Sequence, residues 1–175
     1  MILNQYNKIN ITFCGMMGSG KTIIGKRFAK LINCNFIDTD TIIEEKTGKS
    51  INQIFIEFGE IYFRDLEEKI ITKILDKKNY VFSLGGGVMM NKKLRSIIQK
   101  KSFNIYLQVD NDTLTKRLTK SKKRPLIYKK NIKEKIFELM KEREKFYKQA
   151  NLIINNEKEI ADTINNLKKK FKIYD

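Results

Sequence analysis

A chain of 175 residues is most simply one domain, 1–175, with room for a real core. Apolar residues make up 41% of it, which argues against disorder, and no run approaches the ~18 apolar residues of a membrane span. There is no histidine and there are two cysteines, Cys14 and Cys34, which removes Ser-His-Asp and Cys-His chemistry and argues against zinc.

The formal charge of +16 is lopsided: residues 1–89 carry 12 basic and 10 acidic side chains, and residues 90–175 carry 24 and 10. A nucleic-acid partner is one reading of such a balance. Few aromatics are interleaved to stack bases, however, and the lysines are scattered through amphipathic helices. A solvated basic surface that attracts small anions is the better expectation, with no nucleic acid and no membrane as partner. The opening Met1–Lys8 lacks a basic region followed by an apolar run, so a cytoplasmic protein with reduced cysteines is expected. The helices show no unexplained apolar face, and a monomer is expected.

Ile9–Cys14 alternates like a strand. It runs into Gly15-Met16-Met17-Gly18-Ser19-Gly20-Lys21-Thr22, which fits the phosphate-binding pattern G-x-x-x-x-G-K-[ST]. Glycines let several backbone N–H groups face one hollow, and the helix read from Thr22 to Ile32 adds its positive end. Its apolar positions are Ile23, Phe28, Ala29, Leu31 and Ile32. Lys21 suits the outer phosphates of a nucleoside triphosphate, and the Thr22 hydroxyl suits Mg²⁺.

Asn35–Asp38 reads as a second strand, ending in Asp38-Thr39-Asp40 before a helix that opens at Thr41. One of these carboxylates caps the helix. A pair at a strand end exceeds what a cap needs, so at least one is expected to act in the site, where a carboxylate can hold a Mg²⁺-bound water. Gly48 stops that helix and Ser50 caps the next, with Ile51, Ile54, Phe55 and Phe58 inward. Glu57-Phe58-Gly59-Glu60 breaks it, and a longer helix follows from Ile61 to about Leu75. Arg64 stands three and four residues before Glu67 and Glu68, a spacing that by itself reads as a helical surface ion pair.

Tyr80–Leu84 is apolar enough for a central strand, and Gly85-Gly86-Gly87 at its end suggests close approach of backbone to a ligand. A helix over Asn91–Ile98 and a strand over Ser102–Val109 follow. Asp110-Asn111-Asp112 caps a helix from Thr113 to about Thr119. The segment from Lys116 to Lys135 carries ten Lys/Arg and one acidic residue, with the only proline at Arg124-Pro125-Leu126. Either a flap that closes over an anion or a solvated basic loop accounts for it. Ile136, Leu139, Met140, Arg143 and Tyr147 share one helical stripe, so Arg143 needs a carboxylate partner, internal or from a ligand. Asn151–Ile154 is a fifth strand and Glu157 to about Lys172 a last helix, with Ile160, Ile164, Leu167 and Phe171 inward. Alternating strands and helices imply a parallel sheet covered on both faces.

With these pieces in order, the chain resembles the shikimate kinase family over essentially its whole length. The marks are Gly15–Thr22, Asp38-Thr39-Asp40 with Ile43-Glu44, Phe63-Arg64 with Glu67, Gly85-Gly86-Gly87, Arg124-Pro125-Leu126, and Arg143 with Tyr147 and Ala150. The resemblance implies an α/β fold of the P-loop nucleoside-monophosphate-kinase type, three-layered, with five parallel strands in the order 2-3-1-4-5. It implies transfer of the ATP γ-phosphate to the 3-hydroxyl of shikimate, with ATP and Mg²⁺ as cofactors, on the route to chorismate and aromatic amino acids. By the same likeness Gly15, Met16, Met17, Gly18, Ser19, Gly20, Lys21 and Thr22 would bind ATP, with Arg117 on the adenine and Arg124 reaching in from a mobile lid of about 120–133. Asp40, Arg64, Gly85, Gly86, Gly87 and Arg143 would bind shikimate within a helical region of about 39–66. Arg64 and Arg143 would clamp its carboxylate, and Asp40 would orient or deprotonate the attacking hydroxyl. Lys21, Asp40 and Arg124 would be catalytic, and Thr22 with Asp38, through water, would hold the metal. The chain departs from the family in its lysine-rich flap and in Asn155-Asn156-Glu157-Lys158, which lacks a proline expected there. Another kinase of the superfamily, such as a gluconate kinase, is the nearest alternative. A nucleotide-dependent nucleic-acid-binding protein is the other. A neutral polyol acceptor would not need two arginines, and a nucleotide acceptor would need a base pocket.

Overall fold

Five strands form one parallel sheet: β1 (Asn10–Cys14), β2 (Asn35–Asp38), β3 (Tyr80–Ser83), β4 (Ser102–Gln108) and β5 (Leu152–Asn155). Their order is β2-β3-β1-β4-β5, the order expected. The computed structural model describes residues 9–120 and 132–173. Arg124-Pro125-Leu126 and most of the expected lid therefore lie outside the described residues, as does Met1–Lys8. Seven helices cover the sheet: α1 (Lys21–Leu31), α2 (Thr39–Thr47), α3 (Ile51–Ile74), α4 (Lys92–Lys101), α5 (Asn111–Lys120), α6 (Ile132–Tyr147) and α7 (Ile160–Phe171).

Side chains alternate across β1, so each face of the sheet seeds its own core. Ile11 and Phe13 pack with Ile24 and Phe28 of α1 and Leu167 and Phe171 of α7. Phe28 meets Phe13 and Phe171 edge-on, with ring centroids 5.9 and 5.1 Å away. Cys14 and Met16 join the other face, where α3, α4, α5 and α6 contribute Phe63, Ile71, Leu94, Leu114, Met140 and Tyr147. Each such side chain, fully buried, contributes ~1.5–3 kcal/mol. Burial also pushes the Cys14 thiol up to about 12, so it stays protonated. The polar atoms that the sheet buries are paired: the Thr12 hydroxyl lies 3.0 Å from both Ser102 Oγ and Asn104 Oδ1.

The elements differ from the sequence reading at their ends. Helix α1 begins at Lys21, and Ile24 rather than Ile23 points into the core; Ile23 is half exposed. Helix α2 begins at Thr39, because the Asp38 side chain accepts the Asp40 N–H at 3.0 Å and so caps the helix earlier. A 3-10 turn at Val88–Met90 follows the glycines unannounced by any pattern. Glu157–Glu159 leads into α7 instead of beginning it. The break inside α3 is real: Gly59 sits at φ 79°, ψ 173° between two helical stretches. Phe58, expected inward, is half exposed beside that break, together with Ile56, Ile61 and Tyr62. That exposed apolar cluster corrects the expectation that every apolar helix face would find cover.

Candidate active site

Parallel strands bring their C-terminal ends to one edge of the sheet, where ligands bind in folds of this kind. Here that edge opens into a cleft of about 1410 Å³. Gly18, Gly20, Lys21 and Thr22 line one part of it, Asp38, Asp40 and Gly86 another, and Arg117, Asn156 and Glu157 a third.

The phosphate loop joins β1 to α1. Lys21 folds back over it and donates to the carbonyls of Gly15 and Met16, both at 2.9 Å. Those bonds hold the ammonium over the hollow that the loop amides face. Gly20 is left-handed at φ 89°, and a Cβ there would stand 2.8 Å from Asn156 Nδ2, so only glycine fits. Across the mouth, the Thr22 hydroxyl donates to Asp38 Oδ2 at 2.7 Å. A hydroxyl and a carboxylate oxygen side by side are a donor set that suits a hard, water-carrying cation. Among the described residues no group of three or more His, Cys, Asp or Glu is placed to hold a metal ion.

Gly85-Gly86-Gly87 forms the meeting point of the charged groups. A Cβ on Gly85 would lie 2.6 Å from Asp40 Oδ1 and 3.1 Å from Glu67 Oε1. One on Gly87 would lie 2.5 Å from Arg64 Nη1, and one on Gly86 would meet Arg143 Nη1 at 3.8 Å. Glycine at 85 and 87 is thus what lets Asp40, Glu67 and Arg64 close around this stretch of backbone, while a Cβ at 86 would make ordinary contact with Arg143. Arg64 donates to Glu67 Oε2 at 2.8 Å and to Glu60 Oε1 at 3.1 Å. Glu67 is only 2% exposed, so the pair is not the surface ion pair that spacing suggests. Burial raises the Glu67 carboxyl above its ordinary 4.5; Arg64 lowers it, Asp40 raises it and Arg143 lowers it, and burial prevails. For Arg64, burial works against the charge, but Glu67 and Glu60 outweigh it and hold the guanidinium charged.

Arg143 and Tyr147 lie one turn apart on α6 and both face Gly86. The Tyr147 hydroxyl donates to the Gly86 carbonyl, and Arg143 Nη1 approaches the same oxygen at 3.5 Å. Tyr147 is fully buried against Tyr106, with ring centroids 5.3 Å apart, and burial keeps its hydroxyl protonated. The Nε of Arg143 is buried with no hydrogen-bond partner, so this guanidinium is incompletely satisfied where it stands. On the far side, Arg117 donates to the backbone oxygens of Asn156 at 2.7 Å and Glu157 at 3.5 Å, which fixes its guanidinium at the rim.

A family model described as shikimate kinase matches residues 17–171. The shikimate kinase of Bartonella henselae is 37% identical over 163 residues, 93% of this chain and 78% of that one. The chain belongs to the shikimate kinase family.

Among solved structures, shikimate kinase from Bacteroides thetaiotaomicron aligns with TM-score 0.89 and 31% identity over 94% of this chain and 99% of that one. Shikimate kinase from Acinetobacter baumannii, solved in complex with shikimate, aligns with TM-score 0.88 and 29% identity over 99% and 100%. A gluconokinase from Sinorhizobium meliloti, at TM-score 0.58 and 13% identity, shares the fold alone. The family therefore displaces both alternatives weighed on sequence.

Of the residues expected in the site, the structure brings Asp40, Arg64 and Arg143 to the three glycines, and Asp40 and Gly86 line one cleft with Lys21, Thr22 and Asp38. Arg117 stands at the opposite rim, and Arg124 lies outside the described residues. Two residues were not singled out by role on sequence. Glu67 carried a signal, its i+3 spacing from Arg64. Asn156 carried none, because nothing in a polar run marks which asparagine is buried.

Proposed function

We propose that the protein transfers the γ-phosphoryl group of ATP to the 3-hydroxyl of shikimate, acting in the cytoplasm as a monomer. The single observation that carries the reading is the pair Arg64 and Arg143 at the glycine stretch, whose Gly86 lines one cleft with Asp40 and the phosphate loop. Two planar guanidinium groups suit one carboxylate, and Arg143 Nη1 makes only a long 3.5 Å approach to Gly86 O, which a carboxylate would improve on. Every one of these groups comes from one chain, so no second copy is required.

In this reading the phosphate loop amides and Lys21 hold the β- and γ-phosphates. Arg64 and Arg143 fix the acid at its carboxylate, which turns its hydroxyls toward Asp40 and the glycine amides. Asp40 accepts the hydrogen bond of the attacking hydroxyl and takes its proton as the oxygen bonds to the γ-phosphorus. The bond to the ADP oxygen breaks, and the charge on the transferring group is met by Lys21. Thr22 and Asp38 would hold Mg²⁺, which would supply charge neutralisation at the phosphates. Arg124 is assigned a part in that neutralisation by family likeness alone. Positioning and charge account for such a transfer, so the lack of histidine is no obstacle.

The test is ADP release by the purified protein with Mg²⁺ and ATP, with and without shikimate, in wild type and Arg143→Ala. Shikimate is expected to trigger turnover, and the variant to lose on the order of 2–5 kcal/mol of acceptor binding. A folded, ATP-binding protein that ignores shikimate overturns the acceptor assignment.

A further inference from the structure

The loop that departs from the family, Asn155-Asn156-Glu157-Lys158, holds a buried side chain that the reading above leaves unused. Asn156 is 2% exposed, and every polar group it owns is engaged. Its N–H donates to Gln108 O at 2.8 Å, at the end of β4. Its carbonyl accepts from Arg117 at 2.7 Å. Its side-chain Nδ2 donates to Ser19 O, inside the phosphate loop, at 2.7 Å. Its Oδ1 accepts from the Thr163 hydroxyl in the first turn of α7 at 2.5 Å. One residue thus ties the phosphate loop, β4, the arginine at the rim and α7 into a single rigid corner.

We propose that Asn156 is a positioning residue for the nucleotide. It sets the distance and angle between the phosphate subsite at Gly18–Thr22 and the opposite wall formed by Arg117 and Glu157–Ile160. The proposal rests on the nucleotide half of the reading above and is independent of the acceptor. The direction of each bond matters. Ser19 O can only accept, which turns Nδ2 toward it and leaves Oδ1 facing the Thr163 hydroxyl, which donates to it. Gly20 then has to be glycine, since a Cβ would stand 2.8 Å from that nitrogen. Loop and wall are fitted to one another through this amide. A ligand that spans both loses affinity when either side drifts.

Nucleotide affinity is measured first with no acceptor present, by titrating ADP into the folded protein. ATP and shikimate KM are then measured in turnover. Asn156→Asp keeps the shape but sets a carboxylate oxygen against Ser19 O; Thr163→Val keeps the volume and removes the hydroxyl that holds Oδ1. The expected result is ADP binding about tenfold weaker in Asn156→Asp and several-fold weaker in Thr163→Val, with ATP KM raised alike and shikimate KM unchanged. Should Asn156→Asp fail to fold, Thr163→Val decides by the same readout. Unchanged ADP affinity in a variant that only melts earlier overturns the proposal, as does an equal rise in both KM values. If shikimate is not the acceptor, the ADP titration still decides.

Discussion

Glu67 is the residue whose chemistry depends most on burial. Its carboxylate anchors Arg64 from below at 2.8 Å, while the exposed Glu60 holds the same guanidinium from outside. An exposed helical pair is worth only ~0.3–0.5 kcal/mol, but a buried charged partner is worth several times that when lost. Glu67→Gln is expected to raise shikimate KM about tenfold with ATP KM unchanged, measured by steady-state kinetics. The pH dependence follows from the raised carboxyl. The anchor needs the ionised form, which is lost as pH falls through a folded-state value above the ordinary 4.5. Shikimate KM in the wild type therefore climbs on acidification earlier than a free glutamate would dictate, and Glu67→Gln flattens that limb. The sign for stability is opposite. The folded chain binds this proton more readily than the unfolded one, so the ionised group costs stability above that value and the cost lifts below it. Loss of affinity without loss of fold is the expected signature, and coincident melting at that pH would count against it. At this scale legibility was uneven. Arg143 was legible, because a cation on an apolar helical stripe demands an explanation. Arg64 was legible only through family likeness, because spacing shows which residues are neighbours and says nothing of whether Glu67 is buried.

At the scale of elements, α3 shows how a local break serves the site. Gly59 at φ 79°, ψ 173° occupies backbone space that only glycine enters cheaply. Nothing lies within 4 Å of a Cβ built there, so packing does not select glycine; backbone conformation does. The break sets the second half of α3 at a new angle, and that half carries Phe63 into the core, with Arg64 and Glu67 toward the glycine stretch. Gly59→Ala should cost ~1–3 kcal/mol, a fall of about 2–4 °C in melting midpoint for each kcal/mol. Thermal unfolding at neutral pH checks it. An unchanged midpoint would show that the helix straightens freely and that its two halves are not held by their separate contacts. Elements were the most legible level: period and glycine punctuation marked the five strands, the Gly59 break and the strand order implied by family likeness. Element ends were less so. The start of α2 moved to Thr39 because a side-chain cap, Asp38 to the Asp40 N–H, forms two residues ahead of the apolar pattern. Phe58, the last residue before the break, stays half exposed and packs its ring against Tyr62 with Lys49 above it.

For the whole molecule, the open matter is what a charge of +16 does. Among the described residues it is not concentrated in the cleft. The cleft wall holds Lys21, Arg117 and Lys158 but also Asp38, Asp40, Glu44, Glu157, Glu159 and Asp162. Short-range contacts there are mixed, so the excess acts at long range, as a field that draws anions toward the molecule as a whole. Such a field reaches about 10 Å at 0.1 M salt and about 3 Å at 1 M. The capture of ATP and shikimate should therefore weaken with salt while the chemistry, performed by buried and contact-range groups, does not. Raising monovalent salt from about 0.02 M to about 0.5 M is expected to lower kcat/KM for both substrates several-fold and leave kcat nearly constant. A field effect of this kind must touch both anions, and ATP, the more highly charged, the more. A loss confined to ATP would place the effect in the phosphate subsite, and a fall in kcat would place it in the ion pairs of the site, with Arg64 and Glu67 the first to examine by their separate variants. Flat kinetics across that range would mean that the surface lysines only solvate the protein, which composition alone could never distinguish from steering.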